Sequence, residues 1–403
     1  MFNQQFNKNN PLIIIAPHLE YPTINGADIS LDRLGKYFSE YVPYVDIIAT
    51  SSIVRYQNSQ QIETTLLKNN FRNKKWAAIR TILFKSNYLK EKFVTSSYNQ
   101  ALVQYFKVHS GEPTNILCSY IFSAHLLDTK IKENNFCMIW THNDDYRWFK
   151  DFFSKTNNIL IKLVAHFSLQ WTKKFLEKNK KYFLLLHVDD SDIKGYNQQH
   201  KALNNLRVNI GTDLPQVKIL NSRSDSQIVL SFIGSLSVQM NIDALKYFYE
   251  NYYTILKNAF GVNLEIKVIG SNPTDFVIQI CKKNNWALNA NVSDSEMAEL
   301  LSYTTFTILP FQYTNGAKLK MLFSLGNGIP FLATHTMGNQ IENTPPFCLV
   351  ADDAKAWVNH ISSVATNSSS KKINIRSQII DYAQQFSWRE SVKKLITSLE
   401  DRS

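Results

Sequence analysis

No stretch of this sequence approaches the roughly 20 consecutive apolar residues that a membrane-spanning helix requires, so an integral membrane protein is not expected. The four cysteines, Cys118, Cys137, Cys281 and Cys348, lie far apart and form no C-x-x-C. That spacing builds neither a zinc knuckle nor a redox motif, and it suits a reducing compartment. The patterns H-E-x-x-H, G-x-S-x-G and G-x-x-x-x-G-K are missing, which removes the metalloprotease, hydrolase and P-loop signatures. Low-complexity tracts and fixed-period repeats are missing as well. Acidic residues are the minority sign: 33 Asp and Glu stand against 44 Lys and Arg, a formal charge of +11. Such a balance attracts an anion, be it nucleic acid, lipid headgroups or a phosphorylated substrate. No recognition-helix motif, RNA-binding signature or glycine-arginine tract accompanies the charge, so no nucleic-acid partner is expected.

What is present is a globular composition, 44% hydrophobic and 13% aromatic with only 19% charged residues. At 403 residues the chain exceeds what a single core serves and predicts two domains. Residues 1–10, MFNQQFNKNN, read as a loose polar arm, and the following PLIIIAP is too short and wrongly flanked for a signal peptide, so a cytoplasmic protein is expected.

Short apolar runs alternate with amphipathic stretches of helical length, the pattern of βα units and parallel sheets. In the first half the runs are 12–16, 45–50, 115–120, 136–141 and 183–188; in the second, 228–234, 264–270, 304–311 and 330–335. Each half therefore starts a sheet of its own. The expected division is an arm at 1–10, a first domain at 11–215, a polar linker at 216–227, a second domain at 228–385 and a terminal helix at 386–403. Trp388, Val392, Leu395, Ile396 and Leu399 give that helix its spacing, and it either closes the second domain or crosses back to the first.

Doubly wound sheets bind ligands beyond the carboxyl ends of their strands. Three such places stand out. After the first strand, Asn25-Gly26 precedes a helix, whose open N–H groups suit a phosphate; a plain strand-to-helix turn is the other reading. After 228–234 the order is again strand, Gly234-Ser235, helix. After 304–311 a loop runs through Asn315-Gly316-Ala317 into a helix that opens with Lys318 and Lys320. Cations at a helix start oppose its dipole, which points either to an anion to be neutralised or to two solvated lysines.

Taken in order, FIGSLSVQMNIDALKYF, LEIKVIGSNPT and NGAKLKMLFSLGNGIPFLAT, with CMIWTHNDDYRWFKDF and VNIGTDL before them, resemble the bacterial family 4 glycosyltransferases of the GT-B fold. The resemblance covers most of the chain from about residue 11 and is most specific in 315–334. It implies two doubly wound Rossmann-like domains facing across a cleft. It also implies transfer of a sugar, with retention of configuration, from a nucleotide sugar to a bacterial surface glycan or glycolipid precursor. By position, Asn25, Gly26, Gly234, Ser235, Asn315, Gly316 and Ala317 would contact the donor, Lys318 and Lys320 would stabilise the leaving diphosphate, and His142 would sit over the donor sugar. A satisfied interior histidine is the plain alternative for His142. The resemblance implies no cofactor and no metal, with the nucleotide sugar as co-substrate and a glycan, glycolipid or protein as acceptor. Phe323 and Asn315 stand where family members carry glutamates, Phe323 at the ribose contact, so a non-catalytic subunit of the same fold is the rival reading.

Two further features bear on partners. The run FLLLHVDDSD (183–192) ends in paired aspartates that could hold a divalent cation, as in a metal-dependent GT-A transferase, or could simply cap a helix. Basic residues interleave with aromatics in 66–93 and 160–183. These helices suit either peripheral contact with an anionic membrane, on the inner face of the cytoplasmic membrane, or ordinary packing with lysines in water.

Overall fold

The run LIII has nothing polar to offer solvent on either face, and it forms β1 (Leu12–Ile15) with every residue buried. The structure is a computed structural model that describes all residues except 1–3, 20–22, 24–25, 68–71, 110, 143–144, 215–226, 314–317, 339–340, 342, 346, 366–368 and 403. It also leaves out the side chains of 148, 151, 152, 155, 318, 365, 369, 370 and 372.

The first sheet continues with β2 (Val45–Ile48), β3 (Ser52–Gln57), β4 (Gln60–Leu66), β5 (Asn115–Ser119), β6 (Phe136–Trp140), β7 (Phe183–His187) and β8 (Asn204–Arg207). Their order is β4-β3-β2-β1-β5-β6-β7-β8. From β2 to β8 all pairs are parallel, while β3 and β4 add an antiparallel hairpin at one edge. The hairpin turns at Asn58 and Ser59, whose φ values of 50° and 64° are those of the turn that matches strand twist. Hydrophobic runs did not announce β3, β4 or β8, because an edge strand such as β4 is exposed along its whole length.

The second sheet holds β9 (Ile228–Ile233), β10 (Leu264–Gly270), β11 (Ala287–Ala290), β12 (Phe306–Leu309), β13 (Phe331–Ala333) and β14 (Leu349–Val350) in the order β11-β10-β9-β12-β13-β14, all parallel. Parallel strands buried on both faces need crossovers, and helices supply them. The fold class is α/β with two Rossmann-like sheets.

The chain divides into two units, residues 1–210 with 391–403, and residues 211–390. The polar segment expected as a linker lies almost wholly outside the described residues. Helix Trp388–Glu400 starts in the second unit, where Trp388 N–H donates to the Thr212 carbonyl at 3.2 Å, and its last ten residues belong to the first. Residues 4–10 correct the expectation of a loose arm. Phe6 is buried with its ring edge-on to Phe38 and Phe136, and Asn115 donates to the carbonyls of Asn7 and Asn10. A buried aromatic ring anchors a polar segment that composition alone reads as free.

Candidate functional site

A doubly wound sheet opens a crevice where its strand order reverses. In the second unit that point lies between β9 and β12, which are neighbours although 72 residues separate their ends, from Ile233 to Phe306. The segment after β9 is Gly234-Ser235. Gly234 N–H donates to the Ile269 carbonyl at 3.1 Å, and the Ser235 carbonyl accepts from Asn241 Nδ2 at 2.7 Å, which ties the loop to helix Gln239–Phe248. Glycine at 270 is required: a Cβ there would fall on the Gly234 carbonyl.

On the other side of the reversal, β12 leads through Phe311 toward helix Lys318–Gly326. Met321, Leu322 and Leu325 bury the inner face of that helix, and Thr307 Oγ1 donates to Ser324 Oγ at 2.7 Å, which locks helix to strand. Tyr313 donates to Asp243 at 2.5 Å, pinning the approach to this helix against helix Gln239–Phe248.

Lys320 therefore projects back over the reversal. Its Nζ donates to the Ile233 carbonyl at 3.3 Å and lies 5.7 Å from the Phe311 ring centre. Among the described residues no carboxylate lies within ion-pair distance of it. Burial without a counter-charge lowers its pKa to about 8, the direction expected when the charged form loses water. The sequence paired Lys320 with Lys318. The helix does begin at Lys318, whose side chain lies outside the described residues, as do Asn315, Gly316 and Ala317. Phe323, half-buried on the same helix, offers a ring and no acceptor for a hydroxyl.

In the first unit the strand order reverses between β1 and β5. His142 follows β6 and reaches toward that point: its Nε2 is 2.8 Å from Ser119 Oγ at the end of β5. The imidazole is stacked on Trp140 at 4.7 Å and on Tyr120 at 4.2 Å. Both Tyr120 and His142 adopt left-handed backbone conformations, φ 72° and 56°, which non-glycine residues avoid unless the surroundings hold them there. Burial drives the His142 pKa down to about 3, so the ring is neutral at any physiological pH. Burial, aided by the charges of Asp145 and Asp28, raises Tyr120 to about 12.

Helix Gly26–Phe38 opens beside the end of β1, with Gly26 half-buried at its start; Asn25 lies outside the described residues. Its first turn already holds a buried carboxylate, Asp28, whose oxygens lie 3.3 and 3.2 Å from His18 Nδ1. That charge has the same sign as a phosphate and sits on the same turn. The family resemblance singled out His142 but not its neighbours Ser119, Tyr120 and Trp140, nor the His18–Asp28 pair. Proximity to strand ends was their only signal.

The paired aspartates after β7 have local roles. Asp189 caps helix Asp190–Gln199 by accepting from Ser191 N–H at 2.7 Å, and Asp190 pairs with Arg207. Among the described residues no three His, Cys, Asp or Glu side chains cluster as a metal site would need.

Two Rossmann-like domains in one chain are the fold of the GT-B glycosyltransferases, and solved structures of that fold align with nearly the whole chain. The catalytic domain of starch synthase IV from Arabidopsis thaliana, bound to ADP and acarbose, aligns with a TM-score of 0.63 at 12% identity, covering 98% of this chain and 99% of its own. A trehalose-6-phosphate structure from E. coli bound with UDP-2-fluoro glucose gives 0.62 at 10% identity over 97% and 99%. WaaG, a glycosyltransferase involved in lipopolysaccharide biosynthesis, gives 0.58 at 12% identity over 95% and 98%. No family model and no curated protein matches the sequence. At such identities the likeness is one of fold: GT-B, without singling out family 4. No helix among the described residues is long and apolar enough to cross a membrane.

Proposed function

We propose that this chain is a nucleotide-sugar-dependent glycosyltransferase. The observation that carries the reading is Lys320: a half-buried ammonium at the strand-order reversal of the second sheet, with one carbonyl contact and no carboxylate in reach among the described residues. A half-buried cation without a counter-charge is disfavoured, and a diphosphate at this place would supply the missing charge. Charge that grows on the leaving diphosphate is what such a group stabilises most. The aligned starch synthase and E. coli structures hold ADP and UDP-2-fluoro glucose, which supports the same donor class here.

The finer reading follows the family 4 resemblance. The enzyme is cytoplasmic and retains configuration, His142 serves the donor sugar as a neutral hydrogen-bonding group, no metal takes part, and the acceptor is a bacterial surface glycan, glycolipid or protein. The rival, a non-catalytic subunit of the same fold, draws on Phe323 in place of an acid. A thermal-shift screen of nucleoside diphosphate sugars separates them. A donor held at about 100 times its dissociation constant adds about 2.7 kcal/mol, and Lys320→Ala should lose most of that shift. If no nucleotide sugar moves the transition and none is hydrolysed, the rival reading stands and the enzyme is given up.

A further inference from the structure

Helix Lys74–Leu83 in the first unit is built inside out. The residues it buries are small, Ala77 and Thr81, both fully enclosed. Its large apolar residues face solvent instead: Trp76 is 64% exposed, Ile79 45% and Leu83 70%, and Phe84 just beyond is 61% exposed. Positions 76, 79 and 83 fall on one helical stripe, so these groups form a continuous apolar ridge. The same inversion marks the start of the neighbouring helix Ile159–Asn179, which packs against it. There Ile159 is 72% exposed and Leu160 59%, while Ser168 and Thr172 are buried. Those two hydroxyls are used up locally. Tyr88 N–H donates to Ser168 Oγ at 3.0 Å, and Asn87 Nδ2 donates to Thr172 Oγ1 at 3.2 Å.

The ridge is framed by one sign of charge. Between residues 72 and 92 there are seven Lys and Arg and a single acid, Glu91. That carboxylate is buried and occupied by Arg80 at 2.8 Å, Lys90 at 3.6 Å and Arg72 at 3.7 Å. Lys74, Lys75 and Lys85 have no carboxylate within ion-pair distance among the described residues. An apolar ridge flanked by uncompensated lysines matches a surface that is anionic outside and hydrocarbon beneath.

We propose that this ridge seats the protein on an anionic lipid surface, with Trp76, Leu83 and Phe84 below the headgroups and Lys74, Lys75 and Lys85 at the phosphates. A second copy is a poorer occupant. A two-fold interface sets each patch against itself, and here it would oppose one lysine cluster with another. The inference does not depend on sugar transfer, because lipid binding is read without any donor.

The test is flotation of the full chain with vesicles of phosphatidylcholine alone or with about 30 mol% phosphatidylglycerol, at about 0.1 M salt. The wild type should partition onto the anionic vesicles about tenfold or more above the neutral ones. Replacing Trp76, Leu83 and Phe84 together with serine should lower that binding by about tenfold or more, with the circular-dichroism melt of the variant unchanged. Val262→Ser, a control at a residue 96% exposed in the other unit, should bind as the wild type does. Lys74→Gln, Lys75→Gln and Lys85→Gln together should remove the preference for anionic lipid. Indifference of the wild type to anionic vesicles overturns the proposal, as does a triple-serine variant that binds equally well. Concentration-dependent dimers in sedimentation velocity that the serine variant abolishes, without lipid binding, would assign the ridge to a second copy and overturn it too.

Discussion

The ammonium of Lys320 fills the space that a side chain on residue 234 would need: a Cβ built on Gly234 lies 2.5 Å from Lys320 Nζ and 2.9 Å from Asn241 Nδ2. Both are ends of side chains that can move, so Gly234→Ala should fold and yet push the cation off its carbonyl. We expect nucleoside diphosphate affinity, measured by calorimetry, to fall by about tenfold, or about 1.4 kcal/mol, with a modest drop in melting temperature because the φ of 157° at residue 234 is one that side-chain-bearing residues rarely adopt. Gly270→Ala should cost more stability than Gly234→Ala, because its Cβ meets the backbone of Gly234. Overpacking against main chain costs about 1–3 kcal/mol, to be read from denaturant midpoints. Equal behaviour of the two variants would contradict the geometry.

Lys320, with a pKa near 8, is only partly protonated at pH 8, and a bound diphosphate restores its charge. Binding should therefore draw in about half a proton per site at pH 8 and about a tenth at pH 7. Calorimetry in buffers of different ionisation enthalpy reads this number directly. Lys320→Met should show none of it. Uptake that is the same in both proteins would place the titrating group elsewhere.

Turnover should depend on the same side chain. Lys320→Ala is expected to lower kcat by about tenfold or more, about 1.4 kcal/mol of charge stabilisation. Activity at the wild-type level, on whichever donor the screen returns, removes this lysine from the mechanism.

Ser119 positions His142 rather than touching a ligand itself, being fully buried with its hydroxyl on Nε2. Ser119→Ala leaves that nitrogen without its partner inside an aromatic stack. The imidazole nitrogen shifts seen by NMR should then show a changed tautomer balance, whereas a filler serine would leave them unmoved. Ser119→Thr keeps the hydroxyl and should restore the wild-type pattern.

His187 gives the first unit a sensitivity to acid. It is fully buried between Thr141 Oγ1 at 3.0 Å and Asn205 Oδ1 at 2.8 Å, and burial lowers its pKa to about 4. An unfolded chain takes up that proton near pH 6.5, so unfolding gains protons between about pH 6.5 and 4. Stability should thus fall as pH drops through that window, by up to about 1.4 kcal/mol per pH unit for each such histidine. His142 adds to the slope in the same sense. His187→Asn should flatten the dependence of melting temperature on pH, and an unchanged slope would refute this assignment.

The strands that the sequence announces are those buried on both faces, such as Leu12–Ile15 and Phe183–His187. Most of those it conceals are edge strands, and Ser52–Gln57, next to an edge, is buried only at alternate residues. Gln60–Leu66 is solvent-exposed, Asn204–Arg207 and Ala287–Ala290 only partly covered, and Leu349–Val350 two residues long. Their pairing is fixed by backbone hydrogen bonds, which leave no hydrophobic trace. Gly234 drew attention because it directly follows a strand, and Lys320 because it opens a helix within a recognisable block. Phe311 and Tyr313 were passed over, since a loop aromatic has no periodicity to betray it. The contact of Ser119 with His142 joins residues 23 apart, and only the parallel pairing of their strands brings them together.

The discontinuity of the first unit sets an order for biosynthesis. Its buried Val392, Leu395, Ile396 and Leu399 come from the last helix, and Lys8 at the opposite end of the chain pairs with Glu400 at 3.0 Å. The ribosome must make residues 211–390 before those apolar side chains exist, a delay of about 10–40 s at about 5–20 residues per second. The first unit is therefore completed only after the second has been made. A stop codon at any position from 391 to 399 would leave an intact second unit beside a first unit with part of its core missing.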